Sequence, residues 1–296
     1  MQTDLKVNTF DILWRRFKFA FSKRAYIMGV LNRTPDSFSD GGRFMRKKDA
    51  IKKVFEMVSD GADIIDIGGE STRPGAEAVS VDVELERTIP IIREVADKID
   101  IPISIDTYKS EVAEEALENG AAMINDITGF HGDPRMAEVA ADFDVPVVIM
   151  HIKGTPRTMQ INPHYDSLIE EISDSLGKSI ELAKKAAVDE NRIIIDPGIG
   201  FGKTVQHNLE ILDKLESFKI LGRPILVGAS RKSYIVNTLK QNNIKDDDIE
   251  TSGRLMGTAS SCAVAVYNGA NILRVHDVKE MVQVARIADA IVKSRG

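Results

Sequence analysis

Short β-branched apolar runs recur along the chain, at Tyr26–Leu31, Ile64–Ile67, Ile103–Ile105, Met123–Asn125, Val147–Met150, Ile193–Ile195, Ile225–Val227 and Ile272–Val275. Their hydrophobic positions are consecutive rather than alternate, as expected of strands covered on both faces in a parallel sheet. The stretches between them have helical spacing. Ile169, Ile172, Leu176, Ile180, Ala183 and Ala187 step by three or four, and Val278, Met281, Val282, Ala285, Ala288 and Val292 form a second such stripe. Asp133 before Pro134 marks a helix start, a capping side chain followed by a residue suited to the first turn. Eight strand–helix units predict an α/β chain folded as one (β/α)₈ TIM barrel; an open doubly wound sheet seldom uses eight such regular units. The barrel is expected over residues 25–296. Residues 1–24 are expected to form an N-terminal segment capping the barrel bottom, with Trp14 to Phe21 as a strand or hairpin. That use is favoured over membrane-surface contact because the stretch is short. The polar stretch Gln241–Glu250 reads as a solvated loop inside the seventh unit.

With 43% hydrophobic residues among 296, the chain holds enough apolar material for one large core. A formal net charge of −6 argues against a general nucleic-acid binder but leaves room for a local anion pocket. Cys262 is the single cysteine, so no intrachain disulfide forms; it reads as a small core residue, and a reducing cytoplasm is the expected compartment. The first residues lack the basic-then-apolar layout of a signal peptide, and no apolar run approaches a membrane span.

In this architecture the chemistry sits at the carboxyl ends of the strands. The eight runs end at Asn32, at Asp66 with Gly68 to Arg73 after it, at Asp106-Thr107, Asn125-Asp126, His151, Asp196-Pro197-Gly198, Gly228 to Lys232, and Arg274 to Asp277. One aspartate after a strand is usually a turn former or a helix cap. Eight polar endings around one mouth point to a site. Asp106, Asn125 and Asp196 supply acceptors suited to the N–H-rich edge of a planar heterocycle. Arg274, His276, Asn32 and the helix start after Ser230 supply donors and positive potential suited to an anion. A polar planar ring joined to a phosphate-like group satisfies both sets. An Asp106–Asp196 pair for glycoside hydrolysis leaves the anion side unexplained.

Gly198 to Thr204 ends like a phosphate-binding loop, but Pro197 stands where that motif requires glycine. The dinucleotide pattern fails as well, because its third glycine falls on Lys203. The run reads instead as backbone free to approach a ligand, with Phe201 available to stack on it. The histidines show no paired ligand spacing for zinc. A magnesium ion bridged by a diphosphate fits better, with Asn32 as the protein ligand. Ser230 lacks a nucleophile-elbow context, and Lys232 beside Arg231 reads as a donor to substrate rather than a Schiff base.

Longer motifs then carry a resemblance. Met28 to Gly42 is similar to the first signature of the dihydropteroate synthases, and Gly61 to Gly75 to the second. Ser104 to Thr107, Asn125 to Ile127, Met150-His151, Thr158 to Gln160, Asp196 to Lys203, Ser230 to Lys232 and Arg274 to Asp277 follow in order, so the resemblance covers nearly the whole barrel. It implies condensation of a dihydropterin methyl diphosphate with 4-aminobenzoate, a transferase step of folate synthesis. It implies pterin contacts from Asp106, Asn125, Met150, Asp196, Phe201, Gly228 and Lys232. Asn32, Arg274, Val275 and His276 then hold the diphosphate, with magnesium on Asn32. Phe38, Thr72, Arg73, Pro74 and Ser233 surround the aminobenzoate, and Asp36 and Asp40 sit in a first loop that closes over the site. Asp106, Asp196, Lys232 and Asn32 are the residues implied in catalysis. A homodimer and sulfonamide sensitivity are implied as well. Arg33, where many members have valine, is expected to add positive charge near the diphosphate, and Val236 replaces a common glycine. The rivals are a methyltetrahydrofolate:corrinoid methyltransferase, which needs neither the aminobenzoate shell nor the diphosphate clamp, and a silent pterin-binding paralogue.

Overall fold

The structure, a computed structural model, describes residues 11–14, 16–33 and 47–294. An antiparallel hairpin comes first, β1 (Asp11–Trp14) paired with β2 (Phe17–Ala20). Trp14 and Phe19 are buried in the main apolar core, and the Phe19 and Phe21 rings meet Tyr26 edge-on at 5.0 and 5.4 Å. Arg16 Nη2 donates to the Ile99 carbonyl at 3.1 Å.

Strand–helix units follow: β3 (Tyr26–Asn32), α1 (Lys47–Ser59), β4 (Ile64–Gly68), α2 (Val81–Val95), β5 (Ile103–Asp106), α3 (Ser110–Glu118), β6 (Met123–Asp126) and α4 (Arg135–Asp142). The second half runs β7 (Val147–Met150), α5 (Leu168–Lys185), β8 (Ile193–Asp196), α6 (Val205–Asp213), β9 (Leu226–Val227) and α7 (Ser233–Gln241). It ends with the single turn α8 (Asp246–Asp248), α9 (Arg254–Tyr267), β10 (Ile272–Val275) and α10 (Val278–Lys293). The parallel ladder has the order β8-β7-β6-β5-β4-β3-β10-β9, and one parallel bridge, Ile195 to Ile225, joins its two ends into a ring. The eight predicted runs are the eight barrel strands. The seventh is the shortest; Ile225, just after Pro224, precedes it, bridging to Ile195 and accepting from Ile272 N–H at 3.1 Å.

The consecutive apolar runs are buried on both faces, as in β4, where Ile64, Ile65 and Ile67 are inaccessible to solvent. Asp133 acts twice: Oδ1 accepts from Arg135 N–H at 3.0 Å in the first turn of α4, and Oδ2 from Ser110 N–H at 2.8 Å at the start of α3. In α5, Ile172, Leu176, Ile180 and Ala183 form the buried stripe, while Ala187 lies past the helix with φ +63°. Gln241–Glu250 is not a plain loop. Its polar residues are exposed, but α8 and a π-helical stretch, Ile249–Gly253, carry the chain into α9, because Ile249 is buried among them. No helix among the described residues is long and apolar enough to cross a membrane.

Candidate active site

Strand register sets the first tier of the site. Asn32 pairs with Gly68, Gly68 with Asp106, and Asp106 with Asn125, so four neighbouring strands bring their ends to one level. A Cβ added at Gly68 would stand 3.4 Å from both Asn32 Oδ1 and Asp106 Oδ2, so these two acceptors flank the same glycine. From β10, which pairs with β3, Arg274 reaches into this tier. Its Nε donates to Asp66 Oδ2 at 2.6 Å and its Nη2 to Asp106 Oδ2 at 2.5 Å. Asn125 Nδ2 donates to the same Asp66 oxygen at 3.1 Å. Burying two carboxylates is costly unless a cation and hydrogen bonds compensate, and Arg274 with Asn125 does both.

Burial dominates the electrostatics. It raises the Asp106 carboxyl to about 7, against the pull of Arg274, and it raises Asp196, whose Oδ1 accepts from Gly198 N–H at 2.7 Å. Burial, with Arg274 adding to it, lowers Lys232 to about 8. The Lys232 ammonium lies 3.9 Å from the centre of the Phe201 ring. Phe201 and Met150 pack with Ile127 and Met159 into a small apolar cluster separate from the barrel core. A polar ring and an apolar wall thus share the mouth.

The glycine run is built by close approach. Gly198 has φ +74°, and a Cβ there would fall 1.9 Å from the His151 carbonyl oxygen. Lys203 is buried beneath the run, where its Nζ donates to His151 Nδ1 at 2.9 Å and to the Phe201 carbonyl at 3.0 Å. Burial lowers Lys203 to about 7 and His151 to about 2, so the imidazole is a neutral acceptor. Thr204 then caps α6 by accepting from His207 N–H at 3.2 Å, a helix start rather than a phosphate loop.

Next around the ring, past β9, His276 Nδ1 lies 3.1 Å from Ser230 Oγ. Burial, with Arg274 adding to it, lowers His276 to about 3, so it is a neutral group and not the source of positive potential expected from its type. Arg231 holds Asp277 with Nε at 2.9 Å from Oδ2, while its own backbone has φ +58°. Val275 is fully buried, which leaves its main chain as what it offers a ligand. Gly228 faces the Arg274 stem, and Ser233 is the exposed first residue of α7. Thr72 is half-buried, Arg73 and Pro74 are exposed, and Gly75 N–H of the same loop donates to the Pro156 carbonyl at 3.1 Å. Asp36, Phe38 and Asp40 lie outside the described residues.

Arg33 does not serve the anion side. Its Nη1 donates to the carbonyls of Glu86 at 3.0 Å and Arg87 at 2.9 Å in α2. The reason is Pro90: without an N–H, it cannot serve the Glu86 carbonyl four residues earlier, and the guanidinium fills that place. Val236 is a half-buried residue of α7, and nothing in the structure ties it to the mouth. Sequence reasoning gave no role to Lys203, Ile127 and Met159, and placed Asp66 at the rim without one. Asp66 had a signal, a charge in the middle of the apolar run Ile64–Ile67.

Three comparisons bear on this site. A family of pterin binding enzymes is matched over residues 28–276. The dihydropteroate synthase of Synechocystis sp. is 49% identical over 273 residues, 92% of this chain and 92% of its own. Among solved structures, the Yersinia pestis dihydropteroate synthase, in complex with a sulfonamide drug, superposes with a TM-score of 0.87 at 38% identity, covering 96% of this chain and 99% of its own. The Clostridium difficile dihydropteroate synthase, crystallised in the presence of pteroic acid, superposes with a TM-score of 0.82 at 47% identity, over 92% and 98%. Eight strand ends converging on buried acids, an arginine and an apolar wall, in a chain related to these enzymes along its length, place it in one group. The chain belongs to the dihydropteroate synthase family of pterin-binding enzymes.

Proposed function

We propose that the barrel mouth binds a dihydropterin methyl diphosphate and joins it to 4-aminobenzoate, giving dihydropteroate and diphosphate. The observation that carries this reading is the buried tier in which Asp66 and Asp106 share the Arg274 guanidinium beside Asn125, with Lys232 and Phe201 alongside. A pterin edge alternates N–H donors with acceptors, which matches carboxylates interleaved with cationic and amide donors. Met150 and Phe201 offer the ring an apolar face.

The methylene C–O bond breaks and the amine nitrogen of 4-aminobenzoate bonds the same carbon. The bonding pair leaves with diphosphate, and the amine proton is given up to the leaving group or solvent. Charge that develops on the methylene spreads into the pterin, where Asp106 and Asp196 stabilise it. Lys232 donates to the ring, while Asn32, Arg274, His276 and the main chain at Val275 hold the diphosphate. Thr72, Arg73, Pro74 and Ser233 surround the aminobenzoate. Asn32 Oδ1 is a single hard oxygen at the mouth, a donor suited to magnesium that keeps its other positions for substrate oxygens and water. When bound, that ion neutralises charge on the diphosphate.

A homodimer belongs to the same reading. Val264 and Tyr267 of α9 and Ile287 and Ile291 of α10 form an exposed apolar face, with Ile287 66% exposed. Apolar patches of this kind mark association surfaces. A cytoplasmic setting and a bottom-closing role for the N-terminal hairpin complete the proposal.

The test is to incubate purified protein with the pterin diphosphate, 4-aminobenzoate and magnesium, and to follow dihydropteroate by mass. Product that requires both substrates, and that a sulfonamide suppresses in competition with 4-aminobenzoate, is the expected result. Binding of the pterin diphosphate without product would overturn the reading in favour of a silent paralogue.

A further inference from the structure

The loop that carries Thr72, Arg73 and Pro74 has no strand or helix of its own between Gly69 and Ser80. Such a segment holds one geometry only if its ends are tied down. One buried carboxylate ties both. Glu70 opens the loop, and its Oε2 accepts from Val79 N–H at 3.1 Å at the far end, next to the Ser80 cap of α2. Its Oε1 accepts from the Tyr108 hydroxyl at 3.1 Å.

Lys109 completes the tie. Its Nζ donates to Glu70 Oε2 at 2.5 Å and to Glu84 Oε2 at 2.5 Å. Glu84 lies in the first turn of α2 and is 1% exposed. One ammonium therefore joins the end of β4, the start of α2 and the start of α3. Burial raises Glu84, and Lys109 pulls it back. Lys109 also stands three residues after Asp106, so the stretch that sets a carboxylate in the mouth sets the tie as well.

We propose that Lys109 is a positioning residue for the second substrate: shared between Glu70 and Glu84, its ammonium fixes both ends of the 69–80 loop and so sets where Thr72 to Pro74 stand against 4-aminobenzoate. This rests on the reading that the loop forms the aminobenzoate shell. Lys109 contacts none of the pterin-side groups named above. Its loss therefore acts first on the loop; Glu84, which also raises Asp106, is the one link to the pterin side.

The experiment compares Lys109→Met, Lys109→Arg, Glu70→Gln and Pro74→Ala with the parent enzyme. Each substrate is varied in turn, and binding of the pterin diphosphate alone is titrated by calorimetry. Lys109→Met is expected to raise KM for 4-aminobenzoate about tenfold, the scale of loss from a small misplacement of a reactant. Pterin affinity stays at the parent value, and Lys109→Arg, which keeps a cation able to reach both carboxylates, recovers most of the loss. If Lys109→Met fails to fold with two buried acids uncompensated, Glu70→Gln keeps the side chain's size and gives the same test. An unchanged KM in these variants while Pro74→Ala raises it overturns the tie and leaves the shell reading standing. An unchanged KM in all of them, Pro74→Ala included, overturns the shell reading and the tie together. Equal losses for both substrates also overturn the proposal, since they would mark Lys109 as merely structural.

Discussion

The Asp106 carboxyl, raised to about 7, and the Lys232 ammonium, lowered to about 8, are pushed toward one another, each chiefly by burial. Asp106 gains its charge as pH rises and Lys232 loses its charge. The form with both groups charged is therefore most populated between the two values. On the proposed roles, kcat/KM for the pterin diphosphate is bell-shaped, with its acid limb near 7 and its basic limb near 8, and the limbs belong to the pair. In Asp106→Asn the acid limb disappears and kcat falls by roughly a hundredfold, the usual scale for losing one preorganised electrostatic contact. Full turnover in that variant would sink the assigned role. The positions of Asp106, Asn125, Asp196, Lys232 and Arg274 at the mouth were legible because each lies at, or within a few residues of, the end of an apolar run. Where a long side chain goes was not. Arg33 follows the same rule of place, yet its guanidinium runs away to a carbonyl that Pro90 leaves unserved, 53 residues further along.

At the scale of elements, Arg33 therefore belongs to α2. A helix with proline in its interior normally bends or loses stability, and a side-chain donor at the freed carbonyl offsets part of that loss. Arg33→Val, the residue common in the family, is expected to lower unfolding stability by about 1 kcal/mol, the net worth of a typical hydrogen bond. Urea denaturation measures it, and kcat should stay at the parent level, because among the described residues the guanidinium donates to α2 carbonyls and not to the mouth. Strand positions were readable to within a residue, since a short run that is apolar at every position fits a strand walled in on both faces. The path from α7 to α9 was not readable, because one buried apolar residue, Ile249, outweighs a run of acidic neighbours in deciding whether the chain coils.

At the scale of the whole molecule, the outer faces of α9 and α10 present apolar side chains to solvent. An aspartate in place of Ile287 puts a charge in the middle of that face. On the proposed homodimer, sedimentation of Ile287→Asp shows a monomer at concentrations where the parent is paired, with the barrel still folded. An unchanged association state would move the interface elsewhere. The ring order itself has a further consequence for how the protein is made. Asp66 and Asp106 emerge early from the ribosome, and the arginine that neutralises both is encoded 208 and 168 residues downstream. Until β10 slots between β3 and β9, the two acids lack that counter-ion, and the wall has a gap one strand wide. Closing the wall and assembling the mouth are thus a single late event in biosynthesis, so a nascent chain has no working site to expose before it has a finished fold.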